Sequence, residues 1–181
     1  MTYFFTGDQH LGHWNISRYC GRPFQAVEEM DETIIANFNS AVSENDITIH
    51  LGDFTLISNP ITVNDKYVKR LNGNHIFLKG SHDRWLSKTA PTIWDLHIVG
   101  SMGDISIVCC HYAMRTWHKS HFNSIQLYGH SHGTLEPIGK QWDVGVDNNN
   151  FFPLSLEQII EIMKNRPDNP NFIPEEKRHK H

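Results

Sequence analysis

Asp8 and His10 stand two apart in Gly7-Asp8-Gln9-His10, directly after the apolar run Tyr3-Phe4-Phe5. On extended backbone two such side chains point the same way. Just past a strand end, a hard carboxylate oxygen and a borderline imidazole nitrogen can hold one metal ion. A lone D-x-H pair is common by chance. It gains weight because four more strand-like runs end in the same residue types. Ile47 to Leu51 leads to Gly52-Asp53, and Ile76-Phe77-Leu78 leads to Gly80-Ser81-His82-Asp83. Ile105 to Cys110 leads to His111, and Ile125 to Tyr128 leads to Gly129-His130-Ser131-His132. Mixed nitrogen and oxygen donors suit Mn, Fe, Zn or Ni, and ligand types alone do not settle which.

Short strands and the segments between them must position these groups. Residues 3–6, 47–51, 75–79 and 125–128 read as strands, and 97–110 as two strands separated by Gly103-Asp104, a hairpin signal. From Gln25 to Val42 apolar residues recur at 27, 30, 34, 38 and 42, which is helical spacing. Asn59-Pro60 supplies a cap and first position for a helix that runs past Val68 and Leu71 to Gly73. Residues 7–24 read as a loop, 85–90 as a short helical turn, and 112–124 as a long loop beside the site. Gly139-Lys140 reads as a hairpin turn before a returning strand over 141–146. Ser155-Leu156-Glu157-Gln158 is a capping box that opens a last helix to about Lys164. After Arg166 the chain is rich in Pro, Asn and charge and reads as a loose tail.

Strand–helix alternation early in the chain predicts parallel strands with crossover helices, and the later hairpins add antiparallel strands. The expectation is an α/β protein, with one mixed sheet or two stacked sheets flanked by helices. It forms one domain over residues 1–165 with a polar tail over 166–181. Motifs at strand ends then converge on one rim, where open α/β sheets place their sites.

The bulk properties narrow the partners. A chain of 181 residues suits one domain with a substantial core. No apolar run approaches the ~20 residues of a membrane helix. The N-terminus lacks the basic stretch and apolar core of a signal peptide. No membrane partner and a cytoplasmic location are therefore expected. Cys20, Cys109 and Cys110 make no disulfide framework. A net charge of -4 gives no general attraction to nucleic acid, so no dedicated nucleic-acid surface is expected. A phosphate-bearing substrate that meets a cationic site stays open.

The order D-x-H, G-D, G-S-H-D, H and G-H-S-H, over about residues 3–149, resembles the calcineurin-like metallophosphoesterases. Leu11-Gly12-His13-Trp14-Asn15-Ile16, Cys20-Gly21-Arg22-Pro23-Phe24 and Val144-Gly145-Val146-Asp147 are similar to a small bacterial and phage subgroup of uncharacterised predicted phosphoesterases. The resemblance implies a four-layer αββα sandwich and a dinuclear metal centre with a bridging hydroxide as nucleophile. Asp8, His10 and His132 would hold one metal, and Asp53 would bridge both. His111, His130 and the residue at position 81 would hold the second. His82 would act as general acid or phosphate contact. The family has Asn where this chain has Ser81. A Ser hydroxyl is shorter and a weaker metal donor than an amide carbonyl.

This reading makes the chain a metal-dependent phosphoesterase acting on phosphodiesters or phosphomonoesters, nucleotides among them. Arg22, Arg84 and His13 are the candidate substrate contacts. A rival reading is a binding scaffold of the same fold whose second metal site is impaired by Ser81. Another is a structural metal protein, which the Asp and His donors on loops disfavour. Asp83, Asp143 and Asp147 are candidate acceptors for the free nitrogens of ligand histidines. His50, His75 and His97 read as structural, and His118 and His121 as exposed loop residues. Cys109 and Cys110 read as core.

Overall fold

Aromatic and β-branched residues favour half-buried pleated strands, and the runs that carry them here form two sheets. In this computed structural model, which describes residues 1–100 and 103–178, the strands in chain order are β1 (Tyr3–Thr6), β2 (Ile47–His50), β3 (Asn74–Phe77), β4 (Ile93–Gly100), β5 (Gly103–Cys110), β6 (Ile125–Tyr128), β7 (Gln141–Asp143) and β8 (Leu154–Ser155). The helices are α1 (Trp14–Tyr19), α2 (Val27–Ala41), α3 (Pro60–Lys66) and α4 (Leu156–Lys164). One sheet has the order β3-β2-β1-β8 and the other β4-β5-β6-β7. β1, β2 and β3 are parallel, as crossover helices require, and β8 joins antiparallel. The second sheet is mixed as well, with β4 antiparallel to β5. The protein is thus α/β with two mixed sheets and helices.

Alternation along each strand divides the side chains between two faces. Phe5, Ile49, Leu51 and Leu78 of the first sheet meet Ile107, Cys109, Ile125 and Leu127 of the second in one buried cluster. Leu156, Ile159 and Met163 of α4 join that cluster. Each fully buried side chain of this size contributes about 1.5–3 kcal/mol. Phe4 points to the other face of the first sheet and packs on Phe38 and Val42 at the end of α2. Met30, Ile34 and Ile35 of α2 bury against Leu11, Phe54 and Tyr67. The apolar stripe is core, as its spacing predicts.

Both anticipated caps are present. The Asn59 side chain accepts from the Thr62 N–H, and Ser155 and Gln158 form a reciprocal capping box. Six features differ from the sequence reading. The 7–24 loop contains α1, which has no capping side chain and is too short for a periodic stripe. The helix from Pro60 stops at Lys66 and continues only as a 3₁₀ turn over Val68–Arg70. Residues 85–90 make isolated turns rather than a helix. Gly103 and Asp104 lie inside β5, so the connection falls at 101–102, outside the described residues. β7 pairs with β6 in parallel, because residues 129–140 first carry the chain back to the start of β6.

The sixth difference is the tail, whose start is packed. Buried Asn169 donates to the carbonyls of Ser120 and Ser124 at 2.9 and 3.0 Å and accepts from the Lys140 N–H at 2.7 Å. His179 and His181 lie outside the described residues. Among the described residues, no helix is long and apolar enough to cross a membrane.

Candidate metal centre

All the candidate ligands sit just past strand ends, on loops that the parallel strands deliver to one rim. Two triads form there. Asp8, His10 and His132 bring one ligand atom each within 4.8 Å of one another, and so do Asp53, His111 and His130. Asp8 and His10 follow β1, Asp53 follows β2, His111 follows β5, and the other two follow β6. The backbone at five of these six residues is left-handed, with φ of 55° at Asp8, 50° at His10, 54° at Asp53, 66° at His130 and 48° at His132. Such φ values are uncommon outside glycine and concentrate where function over-determines the backbone.

Asp53 joins the triads. Its Oδ2 lies 3.7 Å from His10 Nε2 and 3.4 Å from His111 Nε2. Burial would raise its carboxyl, but the nearby His111 ring, the hydrogen bond from the His82 N–H and the His10 ring hold it well below the usual carboxylate range. It is therefore an anion at any working pH. Burial pushes Asp8 up to about 7, against the pull of His111 and His132. Burial drives His10 down to about 3, so its ring is neutral. His130 is also lowered, by burial and by His111.

Fixed partners set the tautomers. Leu51 C=O lies 2.9 Å from His111 Nδ1 and can only accept, so Nε2 is left facing Asp53. The Asp147 carboxylate accepts from His132 Nδ1 at 2.7 Å, which frees Nε2 of that ring. His132 titrates higher than usual: burial opposes the charged ring, but Asp147 and Asp8 outweigh it. Of the three aspartates expected to back ligand histidines, only Asp147 does so. Asp83 accepts the backbone N–H groups of Asp53, Phe54 and Gly80 at 2.7, 2.9 and 2.9 Å. Asp143 accepts from Ser131 Oγ and the N–H groups of Gly133 and Gly145 at 2.6, 2.9 and 2.8 Å. Both brace loops rather than rings.

The other candidates divide. His82 is half exposed, its Nε2 3.9 Å from Asp53 Oδ2. Its ring centroid is 5.6 Å from that of His10, as is the ring of His13. Arg84 is exposed beside it. Ser81 Oγ donates to Asp53 Oδ2 at 2.9 Å, so it orients the carboxylate that the triads share. Arg22 is a correction. Its side chain is buried, donating to both Asp147 oxygens at 2.7 and 2.8 Å and to the Asp8 and Gln9 carbonyls at 2.7 and 3.0 Å. With those donors engaged inside the fold, it positions Asp147 and the Asp8 loop instead of meeting substrate.

Loop 112–124 is a second correction. Met114 and Tyr112 carbonyls accept from Gln141 and Gln126 on the second sheet's outer face, so the loop covers that face. Tyr112 reaches the site, its ring centroid 4.7 Å from that of His130. Its place directly after His111 was the available signal. Cys20 also lies near His132 and Asp147. Burial and Asp147 push its thiol up to about 11, so it stays protonated.

The pocket has the character of a cation site. Among the described residues, buried Asp8 Oδ1, both His10 ring nitrogens and His111 Nε2 have no hydrogen-bond partner. An unsatisfied buried polar atom costs about 1–3 kcal/mol. Divalent ions at the two triads would satisfy Asp8 Oδ1, His111 Nε2 and one of the two His10 ring nitrogens. The glycines leave room for this. A Cβ on Gly129 would come within 2.6 Å of Asp8 Oδ2.

No protein-family model matches the chain. It is similar to the uncharacterised protein MJ1445 of Methanocaldococcus jannaschii, at 29% identity over 168 residues, which covers 89% of this chain and 90% of that relative. Among solved structures it is similar to the protein of unknown function AQ665 from Aquifex aeolicus. That match has a TM-score of 0.63 and 20% identity, and covers 89% of this chain and 98% of the other. The second likeness establishes a shared fold.

Proposed function

We propose that the protein is a metal-dependent phosphoesterase that holds two divalent ions at its strand-end rim. One observation carries the reading: two triads, each a carboxylate with two imidazoles, meet around a single oxygen of Asp53. The donor set suits Mn, Fe, Zn or Ni. Structural zinc sites are usually closed and cysteine-rich, whereas this rim opens to solvent at His130 and His82. The fold is read as the four-layer αββα metallophosphatase sandwich, with the layer beyond the second sheet reduced to loop 112–124.

Two ions so placed supply charge for the phosphate oxygens and a water that is nucleophilic at neutral pH. The chain's own groups do the rest. Asp147 and Leu51 hold the protons of His132 and His111 on Nδ1, so both rings present Nε2 inward. Ser81 and the His82 N–H fix the Asp53 carboxylate at 2.9 and 2.8 Å. His82 stands at the mouth, where it can protonate the departing alkoxide. Exposed Arg84 can take a phosphate oxygen, and the His13 ring stands 5.6 Å from that of His10. Substrates are phosphate monoesters or diesters, nucleotides included.

The test is to load the protein with Mn and assay p-nitrophenyl phosphate and bis(p-nitrophenyl) phosphate. The expected result is turnover of at least one. His82→Ala should lower kcat by about 10²-fold, the lower end for a positioned acid, with both ions still bound. Two bound ions and no hydrolysis of either ester would end the proposal. The scaffold reading keeps one observation in its favour, the donation of the Ser81 hydroxyl to Asp53 rather than toward a second ion.

A further inference from the structure

We infer that the protein forms a two-fold dimer through β4, joining two second sheets edge to edge. β4 is the outermost strand of its sheet and pairs only with β5. It is eight residues long, and its register runs without a bulge from Ile93 to Gly100. Ile93 is 49% exposed, Trp94 36% and Val99 75%. Edges of this kind are templates for another chain, and proteins usually blunt them with Lys, Pro or a bulge. Between Ile93 and Val99 there is no Lys and no Pro.

The strand's own sequence names its occupant. Ile93-Trp94-Asp95-Leu96-His97-Ile98-Val99 is complementary to itself about Leu96. In an antiparallel pair around a two-fold axis at Leu96, Ile93 faces the partner's Val99 and Trp94 faces the partner's Ile98. Asp95 faces the partner's His97. Paired residues share parity, so backbone groups that point to the open edge meet others that do the same. Apolar pairs directly across a ladder favour it, and a carboxylate opposite an imidazole does so as a hydrogen bond that becomes an ion pair when the ring is protonated. Sliding by two in one direction sets Asp95 against the partner's Asp95. Sliding in the other sets His97 against the partner's His97. One register is thus selected over both neighbours.

In the single chain Asp95 lies 3.2 Å from His118, and His97 lies 3.8 Å from Asp104 and 3.1 Å from Ser106. These are exposed contacts that solvent weakens and that leave both groups within reach of a facing strand. Neither Asp95 nor His97 belongs to the candidate metal centre.

Sedimentation equilibrium of the full chain reads the proposal. At concentrations of about 10–100 µM, the range a modest interface populates, the expected species has twice the chain mass. His97→Asp sets two carboxylates across each pair and should weaken the dimer by about tenfold. The double exchange of Asp95→His with His97→Asp restores a carboxylate facing an imidazole across each pair and should restore the dimer. Both positions are exposed, and a thermal melt checks that each variant is folded. A wild-type monomer at all concentrations overturns the proposal. So does a dimer indifferent to His97→Asp, or one that the double exchange fails to recover.

Discussion

The two triads use the same residue types and each buries two of its members, but they differ at the third, where His132 is partly buried and His130 is exposed. Around Asp8, His10 and His132 the fold is closed. Asp8 and His10 are buried, and His132 is backed by Asp147, which is itself gripped by the buried Arg22 guanidinium. Around Asp53, His111 and His130 the site opens. His130 is exposed, its backbone N–H donates to Asp8 at 2.8 Å, and Ser81 offers a hydroxyl to Asp53. On the proposed reading this would divide the labour: the backed half would hold its ion more tightly, and the half open at His130 would exchange ion or substrate with solvent. Preorganised partners around ligands are typically worth 10–100-fold in metal affinity.

The largest effect should come from Asp53, where the comparison collapses because both halves lean on one oxygen. Asp53→Asn should cost both ions and lower turnover by roughly three orders of magnitude, beyond the 10–100-fold of an outer partner. Metal content by plasma emission and kcat on the same preparation check this. Loss of one ion only would mean that Asp53 serves a single triad.

Asp147→Asn strikes the closed half alone. The first ion should bind about 10–100-fold more weakly. Arg22 would be left buried without its carboxylate, which should cost about 3–5 kcal/mol of stability. Two-site calorimetry and urea unfolding measure the two consequences. An equal loss at both ion sites would remove the distinction between the halves. Ser81→Asn works on the open half in the other direction. It should strengthen the second ion by roughly tenfold, the low end for a metal-site partner, and raise turnover. If neither changes, position 81 matters only as the donor that orients Asp53.

Much of this site could be read from the sequence because strand ends are where parallel sheets gather loops. Asp8, His10, Asp53, His111, His130 and His132 each followed a recognisable apolar run. What could not be read was supported by long-range contacts. Arg22 and Asp147 are 125 positions apart, and nothing local in Arg22-Pro23 distinguishes a buried brace from a substrate contact. Asp83 and Asp143 looked like partners for rings, but loop N–H groups take them instead, and two of those on Asp83 come from Asp53 and Phe54, far away in the chain. α1 escaped because six residues with no cap carry no periodic signal. The parallel placement of β7 escaped because a Gly-Lys turn signal says nothing about how far the preceding loop has already travelled.

The smallest effect separates ligand histidines from those that only pack. His50 is fully buried on the first sheet, 2.9 Å from Gln9 Nε2, 3.2 Å from His75 and stacked on Phe77. Burial, with His75 beside it, drives its folded-state value well below the usual 6.5. A depressed histidine is neutral in the folded chain while the unfolded chain can still take up a proton. Its contribution to stability is therefore complete above pH ~6.5 and is lost as pH falls below that value, by up to about 1.4 kcal/mol per pH unit for one proton. His50→Gln should flatten the slope of unfolding free energy between pH 6.5 and 5.5 by about one proton. It should leave two ions bound at neutral pH. Urea unfolding at the two pH values gives the slope. An unchanged slope would mean that His50 is already charged in the fold, and loss of an ion would draw it into the closed half of the site.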